Sequence, residues 1–156
     1  MAIDSVGNRR TPERNNTLLG GRVVERLTPA TVTVGSAGTT LTAAQLFKKL
    51  IPLNCTDTGN LTLPTATAIM DAEPGLNVGD VFEFILINFG DSTASVVVGT
   101  GITNKSIDSE DAVLDVATHQ CGRFFLVCTG KANPSDPSTS HSFDLYGGGV
   151  TTAATS

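Results

Sequence analysis

The amino-acid sequence predicts an all-β protein, an antiparallel β-sandwich or a jelly-roll-like barrel with one or two short helices and an extended N-terminal arm. Glycine, threonine and valine are abundant, whereas charged residues make up 16% and aromatic residues 5% of the 156 residues. That composition suits short strands better than long helices. Several segments alternate apolar and polar residues, and turn residues separate them at intervals of about 8–14 positions, as expected for packed antiparallel sheets.

The N-terminal segment differs from the remainder in charge. Residues 1–29 contain five of the ten Lys and Arg residues and three acidic residues, with no sustained hydrophobic period. We interpret residues 1–29 as an extended arm, residues 30–147 as the β-sandwich domain and residues 148–156 as a flexible tail. The arm is either a disordered terminus or a segment that becomes ordered on a partner surface.

The first elements of the domain are a strand and a helix. Residues 31–34 alternate Thr and Val and predict a strand. Residues 41–50 predict a helix with Thr40 or Thr42 as N-cap, and Pro52 forbids its continuation. A strand fragment at residues 61–63 and a second short helix at residues 65–72 follow.

The strongest strand signal covers residues 80–88. Both of its faces are largely apolar, so we expect a central strand covered on two sides along at least half of its length. Residues 94–98 are its expected hairpin partner. Residues 112–117 and 122–129 predict a second strand pair. Residues 130–140 then form a long loop, and a last strand covers residues 142–146.

The sequence offers little reactive chemistry. His119, Cys121 and the nearby Cys128 are the only cluster of soft metal ligands, and their spacing does not fit a zinc site. His141 lies in a Ser/Pro-rich loop, where a solvated histidine is expected. No nucleophile elbow and no zinc-protease motif is present. We therefore expect no catalytic residue, metal site or cofactor, and a structural or binding role rather than an enzyme.

The composition and the N-terminal sequence limit the classes of binding partner and the locations that we expect for this chain. The net charge of −5 and the pI of about 4.8 argue against broad nucleic-acid binding. No apolar run approaches the roughly 20 residues of a membrane span. We expect no secretory signal and, with three cysteines, no disulfide framework.

Residues 61–102, LTLPTATAIMDAEPGLNVGDVFEFILINFGDSTASVVVGTGI, resemble a recurrent module of virion proteins from tailed phages and other double-stranded DNA viruses. The upstream TVTVGSAGTTLTAAQL and the later strand at residues 123–128 extend this similarity to about residues 30–130, and the loop at 130–141 departs from it. The matching positions are residues 61–64, Gly79, Asp80, Phe82, Phe84, Asn88, Gly90 and residues 99–101.

The resemblance implies a capsid decoration (cement) protein, a sandwich or jelly-roll-like unit that is often a homotrimer and has no catalytic residues. The expected partners are the major capsid protein and further copies of the chain, and the expected location is the capsid surface, after synthesis in the host cytoplasm. We expect the arm to bind the shell through arginines that pair with carboxylates and through apolar residues. These arm residues are Arg9, Arg10, Arg14, Arg22, Val23, Val24, Arg26 and Leu27.

Two alternatives remain open at this stage. The chain could be a receptor- or glycan-binding module of a viral fibre or spike, which requires exposed aromatic residues on a loop. It could also be a soluble β-barrel enzyme, in which case activity should depend on His119.

Overall fold

The computed structural model describes residues 29–106 and 114–147. For residues 16–19 and 22–25 it describes only the backbone, which forms two strands. These residues are mostly β. In chain order the elements are β1 (Asn16–Leu19), β2 (Arg22–Glu25), β3 (Val32–Val34), β4 (Thr39–Thr40), α1 (Ala43–Leu46), β5 (Leu50–Cys55), β6 (Gly59–Thr62), α2 (Ala66–Ala72), β7 (Val81–Asn88), β8 (Ala94–Val97), β9 (Ile102–Asn104), β10 (Leu114–Val116), β11 (Cys121–Gly130) and β12 (Ser142–Gly147).

Strands β3 to β12 form two sheets. One has six strands in the order β3-β5-β7-β11-β12-β9, and the other has four in the order β10-β8-β6-β4. From β3 to β11, successive strands alternate between the two sheets. The neighbours β3, β5 and β7 therefore run parallel, as do β4, β6 and β8. Both sheets are mixed, so the expectation of purely antiparallel sheets is wrong.

The two sheets contribute to one hydrophobic core. Phe84 on β7 and Phe124 on β11 are fully buried and stack with their ring centroids 5.2 Å apart. Leu61 on β6 and Val96 on β8 reach the same core from the four-stranded sheet. Full burial of one such side chain stabilises the fold by about 1.5–3 kcal/mol.

Helix α1 is shorter than the predicted helix over residues 41–50. Of the two candidate caps, Thr42 is the N-cap: its Oγ1 accepts from Gln45 N (3.2 Å), and Gln45 Oε1 accepts from Thr42 N (2.9 Å). The chain then turns at Lys49, whose φ is 64°, and Leu50 begins β5 beside β7. Sheet pairing of residues 50–53 outweighs the local helical preference.

Helix α2 confirms the prediction of a helix over residues 65–72. Thr65 is its N-cap, and the Thr65 hydroxyl accepts from Ala68 N at 3.1 Å. Buried Ile69 and Met70 attach this helix to the core.

Both predicted hairpins are wrong. Strand β8 does not pair with β7 but lies in the other sheet, between β6 and β10, and β11 lies between β7 and β12 rather than beside β10. The turn after β7 carries the chain across the core. Asn88 Nδ2 donates to Ser92 O (2.7 Å) and Val116 O (3.0 Å), and Gly90 lies so close to Cys55 that a Cβ there would be 2.2 Å from Cys55 N.

Strands β1 and β2 form an antiparallel hairpin in the segment that the sequence predicted to be extended. The Cα partners include Thr17 with Val24 and Leu18 with Val23. This two-stranded sheet is separate from the two larger sheets. The sequence signal was the pair Gly20-Gly21 between two apolar runs, since Gly-Gly is favoured in two-residue hairpin loops.

Candidate interaction surface

The residues of β7 that face away from the core are largely apolar. Phe84, Leu86 and Asn88 are buried, whereas Val81 is 57% and Ile87 is 37% exposed. The predicted central position is confirmed, since β7 lies between β5 and β11, but the second face is uncovered at Val81 and Ile87. A strand buried on one face normally carries polar residues on the other, so this apolar surface is unusual.

Neighbouring strands extend this surface, which we call the outer face. The strand registers align its residues in four rows across β5, β7, β11 and β12 of the six-stranded sheet. The rows are Pro52, Ile87 and Cys121; Leu50, Ile85 and Arg123; Glu83, Phe125 and Tyr146; and Val81, Val127 and Asp144. None of these residues is buried, and Tyr146 is 42% exposed.

One ion pair lies near the centre of the outer face. Arg123 Nη2 donates to Glu83 Oε2 at 2.9 Å, and Arg123 Nε donates to Glu83 Oε1. The guanidinium also lies 5.2 Å from the ring centroid of Phe125. The pair is bidentate, which fixes both side chains in a defined geometry.

The two charges of this pair stabilise each other. The hydrogen bond from Arg123, followed by its positive charge, lowers the pKa of Glu83 below the usual value of a glutamate. The same contact raises the pKa of Arg123. Both groups are therefore charged at neutral pH, and the outer face has one positive and one negative charge at its centre.

Three of the arm residues selected from the sequence lie on β2, namely Arg22, Val23 and Val24. They belong to the hairpin that pairs with neither of the larger sheets. The remaining arm residues, Arg9, Arg10, Arg14, Arg26 and Leu27, lie outside the described residues, and so does the predicted C-terminal tail.

The soft ligands do not form a cluster. Cys121 is exposed at the start of β11, and Cys128 is buried with its pKa raised by burial. His141 Nδ1 accepts from Ala132 N at 3.0 Å, so this ring helps to close the loop before β12. Within residues 29–106 and 114–147, no three His, Cys, Asp or Glu side chains are grouped to hold a metal ion.

A small cavity lies between helix α1 and the start of β5. Its volume is about 100 Å³, and its lining includes Ala30, Ala44, Lys48 and Leu50. Ligand pockets usually measure about 300–1,000 Å³. This cavity is therefore smaller than a typical ligand pocket.

No helix among the described residues is long and apolar enough to cross a membrane. The chain matches no protein-family model, no curated protein and no solved structure.

The sequence analysis missed the outer face. Its signal was the run of apolar residues at odd positions of the strand over residues 80–88, with Glu83 in the middle. From the sequence, these apolar residues were expected to be covered by other parts of the protein. The position of Arg123 beside Ile85 depends on the strand register, which the sequence does not show.

Proposed function

We propose that this chain is a structural virion protein, a capsid decoration protein that binds the major capsid protein and stabilises the shell. The resemblance of residues 30–130 to a virion module supports the proposal, as does a β-rich body that presents a broad apolar face. The two sheets share one core, which supports a β-sandwich related to jelly-roll folds.

The observation that carries the proposal is the hairpin of β1 and β2. It forms its own two-stranded sheet outside the two larger sheets. A hairpin of two four-residue strands is at best marginally stable by itself in water, so contact with another surface would stabilise it. Half of all Lys and Arg residues lie in the first 29 residues around it. We call residues 1–29, which contain this hairpin, the clasp.

The clasp would act through charge and buried apolar area. Arg9, Arg10, Arg14, Arg22 and Arg26 pair with carboxylates of the shell, whereas Val23, Val24 and Leu27 bury apolar surface there. One clasp gives modest affinity, but several clasps on one assembly raise the total affinity through effective concentration. Bridging neighbouring capsid subunits opposes their separation under the pressure of packaged DNA.

The proposed partners are the major capsid protein and further copies of the chain, with no nucleic acid and no membrane involved. The proposed location is the outer surface of the capsid. The expected homotrimer is one arrangement that would multiply the clasps around a symmetry axis.

Co-sedimentation of the full chain with empty capsids tests this proposal. Replacing Arg9, Arg10 and Arg14 by Ala should reduce capsid binding at least tenfold, because three charge-assisted contacts are lost. A matched variant replaces Lys48, Lys49 and Lys105 of the body by Ala, and it should bind within about twofold of the natural chain. Equal losses in both variants would show that binding depends only on net charge and would contradict the clasp.

A glycan-binding module of a viral fibre is the second candidate. One exposed aromatic residue outside the strands favours it, since Phe89 follows β7 and is 47% exposed, and Tyr146 on β12 is 42% exposed. Such rings can stack on sugars. Glycan-array binding that is lost in Tyr146→Ala, together with no capsid binding, would select this function over decoration.

A further inference from the structure

The loop between β11 and β12 contains the only Asp–Pro peptide bond of the chain, between Asp136 and Pro137. An aspartate carboxylate is one methylene away from its own backbone carbonyl carbon, so its attack on that carbon closes a five-membered ring without any encounter between molecules. The proline nitrogen carries no hydrogen, and as a tertiary amide nitrogen it accepts a proton and leaves more readily than other backbone nitrogens. Both residues are exposed, so water reaches this bond.

The backbone carbonyl oxygen of Asp136 accepts two hydrogen bonds from one residue. Thr139 N donates to it at 3.1 Å, and Thr139 Oγ1 donates to it at 2.8 Å. Asn133 N donates to Thr139 Oγ1 at 2.6 Å, which directs the hydroxyl proton of Thr139 toward the carbonyl oxygen. Two donors on one carbonyl oxygen stabilise the negative charge that develops there when a nucleophile adds to the carbonyl carbon.

The side chain of Asp136 is held as a carboxylate. Ser138 Oγ donates to Asp136 Oδ1 at 2.6 Å, and Ser138 N donates to the same oxygen at 3.0 Å. These hydrogen bonds, that of the hydroxyl first, lower the pKa of Asp136 below the usual value of an aspartate. The carboxylate therefore stays ionised, and hence nucleophilic, in more acidic solution than an ordinary aspartate. Both donors bind Oδ1, so Oδ2 is the oxygen that attacks.

We propose that the Asp136–Pro137 bond is an acid-promoted self-cleavage site, at which the carboxylate of Asp136 cuts its own chain. Asp136 Oδ2 adds to the backbone carbonyl carbon of Asp136, and the two Thr139 donors stabilise the resulting oxyanion. The proline nitrogen takes a proton from the solvent, the bond between carbon and nitrogen breaks, and a cyclic anhydride remains. One water molecule then opens the anhydride to two carboxyl groups, which leaves Asp136 as a new C-terminus and Pro137 as a new N-terminus.

Cleavage at this bond leaves the body assembled. Strand β12 lies between β11 and β9, and its residues Phe143 and Leu145 are fully buried in the core. The two fragments, residues 1–136 and 137–156, should therefore stay together until the protein is unfolded. The reaction happens once in each chain and does not depend on capsid binding.

Mass spectrometry of denatured samples is the first test. The full chain is incubated at the lowest pH at which circular dichroism still shows the native fold, and a second sample is incubated at the same pH in concentrated urea. Both fragments should appear at least about tenfold faster in the folded chain, because the hydrogen bonds to Asp136 exist only there. The rate should not change with protein concentration. Equal rates in the folded and unfolded samples, or no cleavage at this bond, would overturn the proposal.

Removal of the nucleophile is the second test. Asp136→Asn should slow the cleavage at least about a hundredfold because the attacking carboxylate is lost. Asp57→Asn is the matched control, since Asp57 is also exposed in a turn and its Oδ1 accepts from Thr58 N at 2.8 Å, but no proline follows it. This variant should cleave like the natural chain. Cleavage of Asp136→Asn at the natural rate would contradict the attack by Asp136.

Substitutions of the two neighbouring donors separate their roles. Thr139→Val loses one of the two donors to the carbonyl oxygen and should cleave at least about tenfold more slowly, whereas Thr139→Ser keeps the hydroxyl and should cleave within about threefold of the natural rate. The rate should level off in acid where the carboxylate of Asp136 becomes protonated. In Ser138→Ala it should level off at a higher pH, because the pKa of Asp136 is no longer lowered by the hydroxyl.

Equal rates in Thr139→Val and Thr139→Ser would contradict the stabilisation of the oxyanion by Thr139. If a substitution prevents folding, the comparison of the natural chain with and without urea decides, since it needs no variant.

Discussion

The two faces of the six-stranded sheet are both apolar, but they have different roles. On β7, Phe84 and Leu86 are completely buried in the core, whereas Val81 and Ile87 alternate with them and remain exposed. Apolar character alone therefore does not identify the core of this protein. The inner face determines stability, and the outer face is available for contacts with other molecules.

The largest effect should come from removing an inner aromatic ring. Phe84→Ala empties space beside Phe124 and should lower the free energy of unfolding by about 3–5 kcal/mol. Chemical denaturation measures the loss. On the outer face, Ile87→Ala should lose less than about 1 kcal/mol at protein concentrations where the chain is monomeric. Similar losses at the two positions would contradict the assignment of the faces.

Substitution of the buried polar residue at the end of β7 should destabilise the fold nearly as much as Phe84→Ala. Asn88 is 1% exposed, and its side chain bonds Ser92 O, Val116 O and Gly90 N. Asn88→Ala leaves buried backbone groups without partners and should destabilise the fold by about 2–3 kcal/mol. Asn54→Ala, on the outward side of β5, serves as the control in the same denaturation experiment and should change stability by less than about 1 kcal/mol.

Thiol labelling should distinguish the faces without any substitution. Cys121 is exposed in the outer row of Ile87, whereas Cys55 and Cys128 are buried and burial raises the pKa of both thiols. In dilute native protein, Cys121 should react at least about a hundredfold faster than the other two. Mass spectrometry of labelled peptides measures the rates, and equal rates would show that the core opens readily.

The smallest effect concerns the ion pair of the outer face. Arg123 lowers the pKa of Glu83 in the folded chain, so the pair stabilises the fold at neutral pH. This stabilisation declines as the pH falls from the usual glutamate pKa through the lower pKa of the folded state. The stability difference between the natural chain and Glu83→Gln should therefore be small at neutral pH and vanish in acid.

The control for this pH dependence is the same substitution in an Arg123→Gln background. In the Arg123→Gln background the ion pair is absent, so the effect of Glu83→Gln on stability should not depend on the pair at any pH. A difference that persists unchanged in acid, measured by thermal unfolding at several pH values, would contradict the role of Arg123.

Local patterns predicted individual elements well but not their pairing. The strands at residues 31–34, 80–88 and 142–146 and the helix at residues 65–72 are confirmed because alternation, caps and proline act locally. Pairing failed because successive strands alternate between two sheets, and this path depends on distant contacts such as the one between Gly90 and Cys55.

The candidate surface shows the same limitation. The sequence displays the apolar residues of β7 and the charge of Arg123, but only the register between β7 and β11 places Arg123 beside Ile85 and within reach of Glu83. The hairpin of β1 and β2 was predictable in principle from Gly20-Gly21, and it was missed because its strands are only four residues long.

Cryo-electron microscopy of capsids decorated with the full chain tests the central claim most directly. The account predicts density for residues 16–25 in contact with the major capsid protein. The two larger sheets should lie farther from the shell than this contact. Density in which these residues pack only against their own body, or a chain that leaves the capsids undecorated, would contradict it.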